Sequence, residues 1–174
     1  KPDVLGDALD NSLNEWQGQE YRVLCMSPRG VLLNQAISKD IISTKNIVII
    51  CGRFEGIDER VIEYFNIEEI SIGDYILSGG EVATQVLIDS CVRLLPGVLG
   101  NNHSIADESF SIGEEKQCIL EYPQYTKPQE WRGLEVPSVL LSGNHAKIQE
   151  WRREKALQKT KEKRPDLYNR LLKS

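Results

Sequence analysis

The chain has 174 residues, 21 Lys and Arg against 26 Asp and Glu, with 40% apolar and 27% charged residues, the profile of an ordinary soluble domain that needs no disulfide or metal staple. No run approaches the ~18 consecutive apolar residues of a membrane span, and no charged, apolar and small series resembles a secretory signal, so a cytoplasmic protein with no membrane contact is expected. Its four cysteines, Cys25, Cys51, Cys91 and Cys118, form no C-x-x-C pair and have only two histidines to help ligate a metal, which predicts reduced, mostly buried thiols and no metal site.

In chain order, Val4, Leu5, Ala8, Leu9 and Leu13 recur at helical spacing. Residues 21–26 (YRVLCM) then read as a strand, 34–43 as a weaker helix and 47–51 (IVIIC) as a second strand. Ile57, Val61, Ile62 and Phe65 mark a helix, and 67–72 (IEEISI) a third strand. Strand, helix, strand, helix, strand implies right-handed crossovers and an α/β fold with a mainly parallel sheet and helices on its faces. A longer helix should follow Gly79-Gly80, with Val82, Val86, Leu87, Ser90 and Leu94 in one stripe before Pro96-Gly97.

Residues 101–128 are polar and aperiodic, a loop long enough to point to function or disorder. A charged helix is predicted over 145–163, with Ile148, Trp151 and Leu157 on or near one face, and Pro165 ends it. Residues 144–174 hold ten Lys and Arg against four Asp and Glu, whereas 1–143 hold 11 against 22. A basic tail on an acidic body suggests a localised anion-binding surface despite the net charge of −5.

Glycines mark the candidate site. Three predicted strands run into Ser27-Pro28-Arg29-Gly30, into Cys51-Gly52-Arg53-Phe54-Glu55-Gly56 and into Gly73-Asp74-Tyr75-Ile76-Leu77-Ser78-Gly79-Gly80. Carboxyl ends of parallel strands share one edge of a sheet, where glycines let backbone groups approach a ligand closely. Neither G-x-G-x-x-G nor G-x-x-x-x-G-K-[ST] occurs, so the dinucleotide and P-loop readings lack support.

The runs CGRFEGIDER (51–60), SIGDYILSGGE (71–81), RLLPGVLG (93–100), SF (109–110), YPQYTKP (122–128) and VPSVLLSGNHAKIQEWR (136–152) stand in an order that resembles the bacterial tRNA (guanine-N1)-methyltransferases of TrmD type. The resemblance covers essentially the whole chain. It implies the SPOUT superfamily, with a deep C-terminal trefoil knot in the α/β fold, S-adenosyl-L-methionine bound bent within the knot, an obligate homodimer and a tRNA substrate. The reaction implied is methylation of N1 of the guanine 3′-adjacent to the anticodon, with Mg2+ assisting. The implied organisation is a methyltransferase domain at 1–100, an interdomain loop or lid at 101–128 and a basic helical C-terminal region at 129–174. The family's first strand and its glycine-rich segment have no counterpart ahead of Lys1, and its C-terminal helical domain is matched only in part, so the resemblance implies a chain short at both ends.

Carried over residue by residue, the resemblance implies cofactor contacts at Cys25, Met26, Ser27, Pro28, Gly52, Phe54, Glu55, Ile72, Gly73, Tyr75, Leu77, Gly79 and Gly80. Phe54 stands where the family commonly has Tyr. N1 of guanine carries a proton at neutral pH and is a poor nucleophile, so its methylation needs a base at N1 and positive charge near O6. The family's arginine falls on Arg93, and its essential aspartate falls on Glu108, with Asp107 as the alternative. The family resemblance also implies that this acid comes from the neighbouring subunit. A tRNA substrate would supply phosphates for Arg152, Arg153, Lys155, Lys159 and Lys163, and the loop at 101–128 is a natural lid. The segment EEKQC (114–118) departs from the family's spacing. Two rivals stay open: a SPOUT enzyme acting on ribose 2′-hydroxyls, and a non-catalytic RNA-binding module with a decayed site.

Overall fold

A computed structural model of the chain describes residues 1–53, 55–98, 108–110 and 119–173. The chain forms two compact units, Lys1–Gly100 and Asn101–Ser174.

The first unit opens with α1 (Pro2–Leu13), where Pro2 suits the first helical turn because its missing N–H would have no intrahelical partner. β1 (Tyr21–Leu32), α2 (Gln35–Ile41), β2 (Asn46–Ile50), α3 (Glu59–Tyr64), β3 (Glu68–Ser71) and α4 (Gly80–Val92) follow. Asn34 caps α2 by accepting from the Ile37 N–H at 3.0 Å, and Asp58 caps α3 by accepting from the Arg60 N–H at 3.0 Å.

The three strands form a parallel sheet in the order β2-β1-β3. Alternation along β1 sends Val23 and Cys25 to one face, where Leu9, Leu13, Val61 and Ile62 cover them from α1 and α3. Leu24 and Met26 go to the other face, beneath Ile41 of α2 and Ala83, Leu87 and Cys91 of α4. Helices thus lie on both faces of the sheet, and the chain steps from β1 to β2 on one side, then reverses past β1 to build β3 on the other. That reversal is the topological switch point at which open α/β sheets hold ligands.

β1 is longer than the sequence pattern predicts. Met26 and Val31 both pair with Ile70, so Ser27–Gly30 bulges out of the ladder and Val31 and Leu32 re-pair with β3. The first glycine-bearing segment is therefore a bulge within a strand, because a second stretch of backbone beyond it regains the same partner.

One ion-pair cluster ties the sheet to a helix. Arg22 donates to both carboxylate oxygens of Glu68 on β3 (2.8 and 2.6 Å) and to Asp40 of α2 (2.8 Å). The planar guanidinium suits this shared geometry better than an ammonium group would.

In the second unit, β4 (Glu130–Trp131) and β5 (Leu134–Glu135) form a hairpin, followed by α5 (Ser138–Leu141), α6 (His145–Lys163) and α7 (Pro165–Leu171). Asn144 caps α6 by accepting from the Lys147 N–H at 3.2 Å. Pro165 ends α6 and also opens α7, since a proline that cannot continue one helix fits the first turn of the next. The buried stripe of α6 is Ala156 and Thr160, with Ile148, Trp151 and Leu157 only half-buried. Small side chains sit innermost because α7 and the 119–121 segment come close to this stretch of α6. Cys25 and Cys91 are buried as expected, but Cys51 is exposed, and Cys118 lies outside the described residues. No described helix is long and apolar enough to cross a membrane.

Leu87 is 1% exposed at the centre of one core, so Leu87→Ala should lower stability by about 2–5 kcal/mol in urea denaturation. The Asp58 carboxyl is held down to about 2 by hydrogen bonds from the Arg60 side chain and backbone. Its depressed value means that it stabilises the fold fully above the ordinary carboxylate pKa of about 4. That contribution should fade as pH falls through about 2, so native and Asp58→Asn proteins should differ in melting temperature at neutral pH and converge in acid.

Candidate active site

The Ser27–Gly30 bulge of β1 and the segments after β2 and β3 enclose one cavity of about 350 Å3, within the range of small-molecule sites. From the bulge side it is lined by Cys25, Met26, Ser27 and Pro28; from the segment after β2 by Gly52 and Glu55; and from the segment after β3 by Ile72, Gly73, Tyr75, Leu77, Gly79 and Gly80. Phe54 lies outside the described residues.

Backbone contacts hold these segments together. The Gly80 N–H donates to the Gly52 carbonyl at 2.9 Å, and Arg53 and Gly79 form an antiparallel bridge. A Cβ on Gly80 would stand 3.0 Å from Cys51 Cα and 3.1 Å from the Gly52 nitrogen, so a glycine here lets α4 start against that backbone. Gly73 has φ of 148°, and a Cβ there would run into the Tyr75 ring. Its N–H donates to Ser71 Oγ at 3.2 Å, while the Tyr75 hydroxyl donates to the Ile72 carbonyl at 3.0 Å. The segment is thus shaped by its own hydrogen bonds while its apolar side chains face the cavity.

Charged groups that the sequence analysis did not single out also line this cavity. Arg29 bridges Glu59 (3.1 Å) and Glu69 (3.0 Å), and Arg53 donates to Glu81 at 2.8 Å. Glu81 is held below the usual carboxylate range by its own backbone N–H in the first turn of α4 and by Arg53. Both arginines lie inside the glycine-bearing runs, which was the available signal; their partners are 28 to 40 residues away. Burial, helped by the charge of Glu69, pushes the Cys25 thiol up to about 11.

Arg93 caps the C-terminus of α4, its N–H donating to the Asp89 carbonyl at 3.3 Å. Glu108 belongs to the second unit, half-buried on a short turn with Ser109 and Phe110; Asp107 lies outside the described residues, as does His103. Of the basic side chains on α6, Arg153, Lys159 and Lys163 are exposed, and half-buried Lys155 donates to Gln158 at 3.0 Å. Arg152 differs from them: it is half-buried, with its guanidinium 4.6 Å from the centre of the Tyr122 ring.

Residues 1–170 match the family model described as tRNA (Guanine-1)-methyltransferase TrmD. The chain is 53% identical over 167 residues to the tRNA (guanine-N(1)-)-methyltransferase of Ehrlichia canis (strain Jake), which covers 96% of this chain and 68% of that protein. It is 52% identical over 169 residues to the enzyme of the same name from Wolbachia pipientis subsp. Culex pipiens (strain wPip), covering 97% and 71%. For the Ruegeria pomeroyi enzyme of that name the identity is 46% over 170 residues, covering 98% and 68%.

At pH 8 iodoacetamide should modify exposed Cys51 at least about tenfold faster than Cys25 or Cys91, whose buried thiols resist forming the nucleophilic thiolate. Peptide mapping by mass spectrometry reads the order directly.

Proposed function

Because the chain belongs to the tRNA (guanine-1)-methyltransferase TrmD family, a family of methyl-transferring enzymes, we propose that it methylates N1 of the guanine 3′-adjacent to the anticodon of tRNA. The observation that carries the placement of the site is the convergence of three glycine-bearing segments on one cavity at the sheet's switch point.

S-adenosyl-L-methionine, when bound, supplies an electrophilic methyl group on a sulfonium. The cavity suits such a ligand: the glycine-bearing stretch 72–80 would bring backbone close to an adenine edge, Ile72 and Leu77 offer apolar contact, and Glu55 supplies a carboxylate. In this reading the first unit carries the SPOUT trefoil knot, and Cys25, Met26, Ser27, Pro28, Gly52, Phe54, Gly73, Tyr75, Gly79 and Gly80 complete the cofactor contacts.

Glu108 takes the N1 proton of the guanine, which turns a weak nucleophile into a competent one. Asp107 is the alternative base. Arg93 stabilises the negative charge that develops on O6 as the N1 proton leaves. Among the described residues no three His, Cys, Asp or Glu side chains gather as metal ligands, and no step of this mechanism runs through the Mg2+ that the resemblance implies.

The tRNA would lie along α6, where Arg153, Lys159 and Lys163 are free to meet phosphates and Lys155 flanks them. Arg152 contributes through its stack on Tyr122. The homodimer is supported by the outer face of α4, which leaves Val82, Val86, Ile88 and Val92 exposed on one helix. A second copy would cover such a face, and its Glu108 would serve the neighbouring cavity.

Glu108→Gln should lower turnover by about 10²–10⁴ while S-adenosyl-L-methionine affinity, read by calorimetry, stays nearly unchanged. A tRNA whose target guanine is replaced by adenine should accept no methyl group; equal labelling of both tRNAs would point to ribose methylation instead. Val86→Glu should shift the protein to monomers in analytical ultracentrifugation and reduce turnover with them. A binding module without catalysis would bind S-adenosyl-L-methionine and give no methylated tRNA.

A further inference from the structure

The turn that bears Glu108 is tied to the basic helix by a short series of hydrogen bonds. Thr160 is completely buried on α6; its hydroxyl donates to the Ala156 carbonyl at 2.8 Å and accepts from the Leu120 N–H at 2.9 Å. Donation to the carbonyl four residues back fixes the hydroxyl rotor, so its lone pair is aimed at Leu120. On one side of Leu120, the Ile119 carbonyl accepts from the Phe110 N–H at 3.2 Å. On the other, the Glu121 N–H donates to Ser109 Oγ at 2.8 Å. Residues 119–121 thus bridge α6 to the two residues that directly follow Glu108. Phe110 has φ of 62°, a left-handed conformation that a bulky side chain keeps only when its surroundings hold it there.

We propose that Thr160 is a positioning residue for methyl transfer, its hydroxyl fixing Leu120 and, through the flanking bonds to Ser109 and Phe110, the placement of the Glu108 carboxylate. The inference rests on the reading of Glu108 as the base. A base must be held within hydrogen-bond reach of the proton it takes, and a misplacement of about 1 Å can lower a rate by about a hundredfold. Thr160 is remote in sequence, 40 residues from Leu120, and it touches no substrate in this arrangement.

The test compares Thr160→Val, which keeps the branched shape and removes the hydroxyl, with Thr160→Ser, which keeps the hydroxyl. Thr160→Val should lower kcat by about 10- to 100-fold, with KM for tRNA and affinity for S-adenosyl-L-methionine changed less than about twofold. Thr160→Ser should hold kcat within about threefold of the native enzyme, and Ser109→Ala should fall in kcat like the valine variant. In a Glu108→Gln background, adding Thr160→Val should cost nothing further, because the two groups act through one carboxylate. Full turnover in Thr160→Val beside an inactive Glu108→Gln enzyme overturns the inference, as does an equal loss in both backgrounds. Full turnover in Glu108→Gln alone overturns the base assignment and this inference with it. Should Thr160→Val fail to fold, Ser109→Ala decides by the same measurements.

Discussion

The arrangement of the first unit depends on how closely the start of α4 approaches the end of β2. The Gly80 N–H reaches the Gly52 carbonyl, and Arg53 bridges Gly79, so two segments separated by nearly thirty residues share a backbone contact at the mouth of the cavity. A Cβ at position 80 would crowd the Cys51 and Gly52 backbone, 3.0 to 3.1 Å away. The same approach seats Ala83 and Leu87 over Leu24 and Ile70. Burial in that core therefore holds the cavity wall in place, coupling packing energy to the shape of the site.

Charge reinforces the geometry at two levels. Inside the fold, Arg22 spans β1, β3 and α2 with three hydrogen bonds, and a side chain only 17% exposed limits how far water screens them. At the cavity, Arg29 and Arg53 pair with Glu59, Glu69 and Glu81. These pairs are solvent-exposed and contribute little to stability. Their consequence is local: cationic groups stay at the cavity without leaving it strongly basic, which would suit the sulfonium of the proposed cofactor.

The second unit divides its work differently. On α6, Ala156 and Thr160 are buried and form its inner edge, while Arg153, Lys159 and Lys163 are exposed along its length. The inner edge carries the 119–121 segment and, through it, the turn with Glu108. The helix whose exposed cations would bind phosphates thus also holds, through its buried Thr160, the turn with the candidate acid. Arg152, read from charge alone as one more phosphate contact, instead stacks on Tyr122 of the following stretch. Its guanidinium therefore belongs to the packing of the 119–123 region as much as to the surface.

The α/β class, the helices on its faces, the long helix after Gly79-Gly80, the helix over 145–163 and the three glycine-bearing segments around the cavity were all legible in the sequence. Each of those signals is local: a period of 3.6 or 2, a proline that stops a helix, or a glycine next to a strand. Tertiary structure alone decided that β1 bulges at Ser27–Gly30 and re-pairs beyond it, that Arg22 joins three elements, and that Thr160 rather than Trp151 is the innermost side chain of α6. These features rest on partners 18 to 46 residues apart, and no periodicity records which distant backbone group a strand or hydroxyl will meet. Register and side-chain pairing are settled only when elements dock and every buried N–H must find an acceptor.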